Sequence, residues 1–350
     1  SKRRDICEVL HVYTGGGKSE TYFGCVLFSA FWDRLSGKTF GITAITKFPL
    51  RMLSIQQLQR VSNLVIWAEK IRKEEKIAGD PFSVAYFVGS DEEFPRYSKD
   101  IIKIIKNTNS KIPGKIISEC PLCKTEENIS NVFLTYRESD SHIIHKCDNC
   151  GEEFNIFFTD EEIYRALPTL IIATVDKLAG ISTNRRFRNI FGGKIDSCPN
   201  GHGFIPHNDT CEVENCGNKG SLVKRNFNTG PSLIIQDEMH LIREGFGTIN
   251  SHFESLMEHL QMEIGGNGFK NIAMTATITG AKDQIKNLYD KKVNIFPGKS
   301  PKGKGIHDLF FEYEWADDEQ KIQRKIIGLK PNFRDNQYAS LLTLKYIAEF

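Results

Sequence analysis

Tyr13-Thr14-Gly15-Gly16-Gly17-Lys18-Ser19-Glu20 is the stretch on which the reading of this chain turns. An apolar run from Ile6 to Val12, broken by Glu8, leads into it. An amphipathic run (Tyr22, Phe23, Val26, Leu27, Ala30, Phe31, Leu35) leaves it. Strand, glycine loop and helix in succession are the layout of a phosphate-binding loop. Its glycines let backbone N–H groups turn inward around an oxyanion, and the helix adds the positive end of its dipole. In such a loop Lys18 reaches the β- and γ-phosphates and the Ser19 hydroxyl holds Mg²⁺. The complete pattern G-x-x-x-x-G-K-[ST] wants glycine where this chain has Val12, so a flexible glycine turn stays open as the bland alternative.

Working outward, the surrounding runs alternate in period. Thr39 to Thr46 reads as a buried strand, followed by a long helix with Leu53, Leu58, Val61, Leu64, Val65, Ala68 and Ile71 at helical spacing. Phe82 to Val88, Leu167 to Thr174, Ser232 to Gln236 and Asn271 to Thr277 read as further strands. Strands alternating with helices predict an α/β fold, a mostly parallel sheet covered on both faces. The helix bearing Ile249, Phe253, Leu256, Met257 and Leu260 reads as amphipathic packing only. Residues 297–305 read as a basic linker, and Asn336 to Phe350 as a final helical run.

Composition bounds the function. The 350 residues suffice for two domains or one domain with insertions. Lys+Arg 46 against Asp+Glu 44 leaves a net charge of +2, so a basic surface, if there is one, is local. Neither a membrane-length apolar run nor a signal-peptide pattern is found, and the expectation is a cytoplasmic protein with no membrane partner. Nine cysteines are too few for a disulfide scaffold, and two C-x-x-C pairs point instead to metal in a reducing compartment.

Those pairs, Cys120-Pro-Leu-Cys123 and Cys147-Asp-Asn-Cys150, bracket a segment rich in β-formers and can bring four thiolates to one tetrahedral Zn²⁺. His142 and His145 lie near enough in sequence to replace a thiolate. A second cluster, Cys198, Cys211 and Cys216 with a histidine, suits a Cys₃His site. The histidine is His202 or His207, and the Gly-flanked turn four positions past Cys198 favours His202.

The run Ser232-Leu-Ile-Ile-Gln236 ends in Asp237-Glu238-Met239-His240. A parallel strand delivers its C-terminal residues to the edge that carries the glycine loop. Asp237 there can hold Mg²⁺ and Glu238 can orient and deprotonate a water. The competing reading is an acidic pair capping the next helix. Thr275-Ala276-Thr277 closes the following strand with hydroxyls.

In order, Thr14 to Ser19, Phe48-Pro-Leu-Arg-Met-Leu-Ser-Ile-Gln-Gln57, Ala173-Thr-Val-Asp-Lys-Leu178, Asp237 to His240 and Thr275 to Thr277 resemble motifs I, Ia, Ib, II and III of superfamily 2 DExH-box helicases. With cysteine clusters between Ia and Ib and between Ib and II, the chain is most similar to the helicase component of DISARM antiphage systems. The resemblance implies a RecA-like P-loop three-layer sandwich interrupted by two small zinc-binding insertions. Its divisions would be 1–116, 159–196 and 229–296 as the nucleotide-binding domain, 117–158 and 197–228 as the insertions, and 297–350 as a linker and the start of a second RecA-like domain. It implies ATP, Mg²⁺ and Zn²⁺ as cofactors. Thr14, Gly15, Gly16, Gly17, Lys18 and Ser19 would bind nucleotide, with Asp237 on magnesium and Glu238 on water. His240, Thr275 and Thr277 would couple ATP state to movement, and Arg51, Gln56, Thr174 and Lys177 would hold a DNA backbone. Other defence-system subunits are expected partners. No Gln-x-x-Gly-Arg arginine motif is found in the sequence, which makes the chain read as the front part of a longer motor. The alternative is a zinc-stabilised nucleic-acid-binding scaffold whose ATP site switches shape without turnover. A P-loop kinase or GTPase is disfavoured, because no N-K-x-D follows.

Overall fold

The computed structural model describes residues 3–11, 17–107, 114–123, 130–182, 184–242, 244–265, 267–275 and 280–296. Expected features at Thr14, Gly15, Gly16 and Thr277 and throughout 297–350 lie outside the described residues.

In chain order the elements are β1 (Ile6–His11), α1 (Lys18–Leu35), β2 (Ala44–Phe48), α2 (Arg51–Glu74), β3 (Val84–Phe87), α3 (Ser98–Asn107), β4 (Val132–Arg137), β5 (His142–Cys147), β6 (Glu153–Phe154), β7 (Ile156–Phe157), α4 (Asp160–Ala166), β8 (Leu170–Thr174), α5 (Val175–Leu178), α6 (Phe187–Ile190), β9 (Ile195–Ser197), β10 (Phe204–Pro206), β11 (Ser221–Leu222), β12 (Leu233–Gln236), α7 (Glu244–Gly265), β13 (Lys270–Thr275), α8 (Ala281–Tyr289) and β14 (Lys292–Phe296). Eight of the strands form one sheet in the order β14-β1-β13-β12-β2-β8-β3-β7. Every pairing in it is parallel.

The sheet is the α/β, RecA-like sandwich that the periodicities and motif order led us to expect. β2, β3, β8 and β12 are buried from end to end, as strands covered on both faces must be. Alternate residues then feed different cores. Ala44, Val84, Tyr86, Leu170, Ile172, Leu233 and Ile235 pack with α1 and α2. Ile45, Ala85, Phe87, Ile171, Ala173 and Ile234 pack with α4, α6 and α7. Val9 and Ala273 meet α8.

The cysteine segments fold as two small antiparallel sheets, β4-β5-β6 and β10-β9-β11. The first is fastened to the main body by several contacts, among them Arg165 of α4, which donates to the Ser141 carbonyl at 2.8 Å. Glu162, buried at the start of α4, accepts the Ile143 N–H at 2.6 Å, and His145 Nε2 accepts the Ile116 N–H at 3.1 Å. Thr159 caps α4, its hydroxyl accepting the Glu162 N–H and donating to the Glu162 carboxylate at 2.7 Å.

Several expectations shift. The strand read at Thr39 to Thr46 runs instead over Ala44–Phe48, because Ile42 N and Thr43 N bond to loop carbonyls of Thr229 and Thr169 before the ladder begins. β7, inside the span expected for the first insertion, joins the main sheet beside β3. β9, from the second small sheet, begins at Ile195, just before the boundary expected there. α7 is more than amphipathic packing, since Asn250, Glu254 and Gln261 are buried along it. Among the described residues, no helix is long and apolar enough to cross a membrane.

Candidate nucleotide edge and metal centres

Because the sheet is wholly parallel, the C-terminal ends of its strands share one edge. β1 leads toward Gly17 and Lys18, β13 ends at Thr275, and β12 is followed by Asp237 and Glu238. β2 is followed by Arg51, and β8 by α5, which carries Lys177. Sheet order therefore sets the phosphate-loop end, Thr275 and the acidic pair on three adjoining strands, with the Ia and Ib positions on the next two.

Gly17, which caps α1, sits at φ 79°, and a side chain there would meet nothing within 4 Å. Lys18 and Ser19 open the helix, both half-buried. Asp237 is 8% exposed. Its N–H is held by the Lys47 carbonyl at 2.9 Å, and its Oδ1 accepts the Glu238 N–H at 2.8 Å. Burial pushes its carboxyl up to about 6; the Glu238 charge adds to this, while the Glu238 N–H and the Lys18 ammonium oppose it. That opposition brings Lys18 within electrostatic reach of Asp237. The buried Tyr22 phenol, one turn into α1, is pushed up by burial and then by the Asp237 charge.

Glu238 occupies a left-handed conformation, φ 43° and ψ 45°, uncommon for a residue with a side chain. The turn aims its carboxylate at His240, 3.2 Å away at Nδ1, and the same nitrogen lies 3.5 Å from Thr275 Oγ1. Acid, imidazole and hydroxyl are thus in contact across two strands. Two groups that motif reading missed support this turn. Gln284 of α8 donates to the carbonyls of Met239 at 2.8 Å and Ile242 at 2.6 Å. Gln236 donates to the Asp237 carbonyl at 2.9 Å and the Lys47 carbonyl at 3.3 Å. The Gln284 bonds and the Gln236 bond to Lys47 join segments distant in sequence, and no local pattern marks them.

The remaining motif positions are differently placed. Arg51 is paired with Asp91, and its guanidinium lies 5.1 Å from the Phe94 ring centroid. Gln56 is exposed on α2. Thr174 is buried, and Lys177 donates to Asp160 at 2.7 Å while lying over the Phe87 ring.

Both cysteine clusters assemble. A Zn–S bond of about 2.3 Å at tetrahedral angles separates neighbouring sulfurs by roughly 3.8 Å. Cys120 and Cys150 are 3.9 Å apart, as are Cys123 and Cys147, and all four donors lie within 4.8 Å of one another. In the second cluster Cys198 is 3.6 Å from Cys216 and 3.7 Å from His202 Nδ1, which is 3.5 Å from Cys211. His202 is therefore the histidine of the set. His207 instead pairs with Asp196 at 2.8 Å, while His142 faces Glu162 and His145 faces Ile116. Both donor sets fit a tetrahedral zinc ion.

No family model matches the chain. DISARM protein DrmA of Bacillus paralicheniformis (strain ATCC 9945a / NCIMB 11709 / CD-2) is 32% identical over 347 residues, 91% of this chain and 30% of that protein. Solved structures resemble it more remotely. The DUF1998 helicase MrfA is 12% identical at a TM-score of 0.40, covering 83% of this chain and 28% of that one. Mss116p bound to ssRNA and AMP-PNP is 10% identical at 0.44, covering 83% and 36%. At these scores the two add no weight to the sequence match. The chain spans 30% of the length of its curated relative, and over nearly all of its own length it is a DrmA-like chain with the motif set of a superfamily 2 helicase.

Proposed function

We propose that this chain is the nucleotide-binding part of an ATP-dependent helicase or translocase that works on DNA in antiphage defence, alongside other defence subunits. The reading is carried by one observation: Lys18, Asp237, Glu238, His240 and Thr275 gather on adjoining strand ends of a parallel sheet. Bound Mg²⁺–ATP would supply the anhydride bond to be cleaved and neutralise the charge that develops on it. Around that ligand Thr14, Gly15, Gly16, Gly17, Lys18 and Ser19 bind phosphate, and Ser19 and Asp237 hold magnesium through hydroxyl and carboxylate. Glu238 orients water and takes its proton. His240 links Glu238 to Thr275, and with Thr277 forms the path from nucleotide state to strand movement. Arg51, Gln56, Thr174 and Lys177 contact the nucleic-acid backbone without reading sequence. The two zinc modules, at 117–158 and 197–228, brace insertions too small to hold a core of their own.

The test is single-strand-stimulated ATP hydrolysis by the full-length protein. Lys18→Ala should lose nucleotide binding and turnover. Glu238→Gln should keep binding and lose turnover, typically by 100-fold or more for a missing general base, at about 10²–10⁴. Wild-type rates in both variants would end the assignment.

A scaffold whose nucleotide site only switches shape is favoured by the internal pairing of Arg51 and Lys177. It requires strand binding indifferent to ATP and no turnover in any form of the protein.

A further inference from the structure

Cations beyond the motif positions collect where β3 and β8 end. Phe87, the last residue of β3, carries the Lys177 ammonium 4.9 Å from its ring centroid and packs on Phe187 at 5.6 Å. Phe187 directly follows Arg185 and Arg186. Asp160, which accepts from Lys177, also lies 3.9 Å from Arg96 Nε. Arg96 and Lys177 thus share Asp160, Arg96 and Arg186 both act on the buried Tyr164 phenol, and Arg185 precedes Arg186 in the chain.

The two consecutive arginines are met from outside. Arg185 lies 3.8 Å from Asp209, and Arg186 is paired with Glu212. Both acids come from the second cysteine module, where they flank the ligand Cys211. The Arg185 and Asp209 side chains are 62% and 41% exposed, and Glu212 is 40% exposed. An exposed pair such as Arg185–Asp209 is weak and readily screened, and Glu212 is an exposed partner for the more enclosed Arg186, 23% exposed. A guanidinium fork matches phosphate as well as it matches carboxylate. A strand backbone, presenting successive phosphates, can therefore take the place of two carboxylates held on a loop.

We propose that Arg96, Lys177, Arg185 and Arg186 form a phosphate-binding surface for a single nucleic-acid strand, and that Asp209 and Glu212 of the second metal module compete with the strand for it. This rests on the reading that the C-terminal sheet edge takes nucleic acid. It adds three cations that no motif identified, and it gives the second module a role in setting affinity.

The probe is a fluorescein-labelled oligothymidylate of about 16 nucleotides, followed by anisotropy on the full-length protein. Asp209→Asn/Glu212→Gln, with zinc content measured alongside, should bind roughly three- to tenfold tighter than wild type. Arg185→Ala/Arg186→Ala should bind more weakly than wild type. Its log–log salt slope should be shallower than that of the acid variant by about 1.4, two single-strand contacts at roughly 0.7 each. An acid variant with full zinc and unchanged affinity overturns the proposal. So does an arginine variant that binds like wild type, which decides the matter should the acid variant lose metal. Either result leaves the motor reading standing, because Lys18→Ala and Glu238→Gln report on turnover independently. Absence of oligonucleotide binding by every form overturns this surface together with the nucleic-acid part of that reading.

Discussion

Asp237 is an expensive residue for the nucleotide-free protein to keep. Its carboxyl is raised from an ordinary 3.8 to about 6 because burial disfavours the charged form. A raised carboxyl favours the protonated folded state, so this contribution is fully present below pH 3.8 and is lost as pH rises through about 6. At pH 7.5 the ionised side chain costs roughly 3 kcal/mol. Asparagine keeps an oxygen for the Glu238 N–H and removes the charge. In magnesium- and nucleotide-free buffer, Asp237→Asn should therefore melt above wild type at pH 7.5, and the two melting curves should converge near pH 4. A variant that melts lower at pH 7.5 would contradict the burial argument. At this scale the sequence displayed Asp237 and Lys18, because motif spacing is local. It did not display Gln236 or Gln284 as supports of the acidic turn. Each bonds to a segment brought near only by the sheet and its crossovers.

Of the two cysteine modules the second depends less on hydrophobic burial, because the first places Val132, Leu134, Ile143 and Phe154 in the main core. The second contributes a cluster of only Cys198, Ile205 and Cys211, with Val213 and Cys216 against it. A unit that small needs a metal or a cross-link to stay folded. The protein should carry two zinc ions per chain, and Cys123→Ser or Cys211→Ser should each remove one, measured by elemental analysis. Chelation should open both modules to proteolysis near Cys150 and Cys216 while the far-UV signal of the main sheet persists. A single zinc, or a sheet that melts with the metal, would contradict this division. The ligand spacing that reveals these modules is legible because four donors must meet at one point. The strands β3, β8 and β12 are legible for a related reason: burial on both faces leaves a largely apolar run, whereas in β2 the buried Thr46 and Lys47 interrupt it and its bounds shift. The edge strand β14 alternates, and β7 has two residues, so neither separates from loop by pattern alone.

At the scale of the whole sheet its edge divides in two, with the proposed nucleotide positions at β1, β13 and β12 and the proposed strand-contact positions at β2 and β8. β2 is the junction, and it is held by a buried ion pair. Lys47 is fully buried and paired with Glu254 of α7, 4% exposed, which also accepts from Asn250 at 3.4 Å. The ammonium lies 5.3 Å from the Tyr289 ring of α8, so β2, α7 and α8 meet at one charge. The backbone of the same lysine accepts the Asp237 N–H and the Gln236 amide. Removing one partner leaves an unpaired buried charge, whereas replacing both with apolar groups removes the desolvation cost along with the attraction. Lys47→Met and Glu254→Leu should each destabilise the protein by about 3–5 kcal/mol in urea titration. The double variant should recover most of that loss, and its m-value should match wild type, since the surface exposed on unfolding barely changes. If the pair also fixes the register that presents Asp237, the double variant will be stable yet bind magnesium–nucleotide more weakly than wild type. Equal stability with equal nucleotide affinity would reduce the pair to packing, and losses that simply add would mean that Lys47 and Glu254 do not interact.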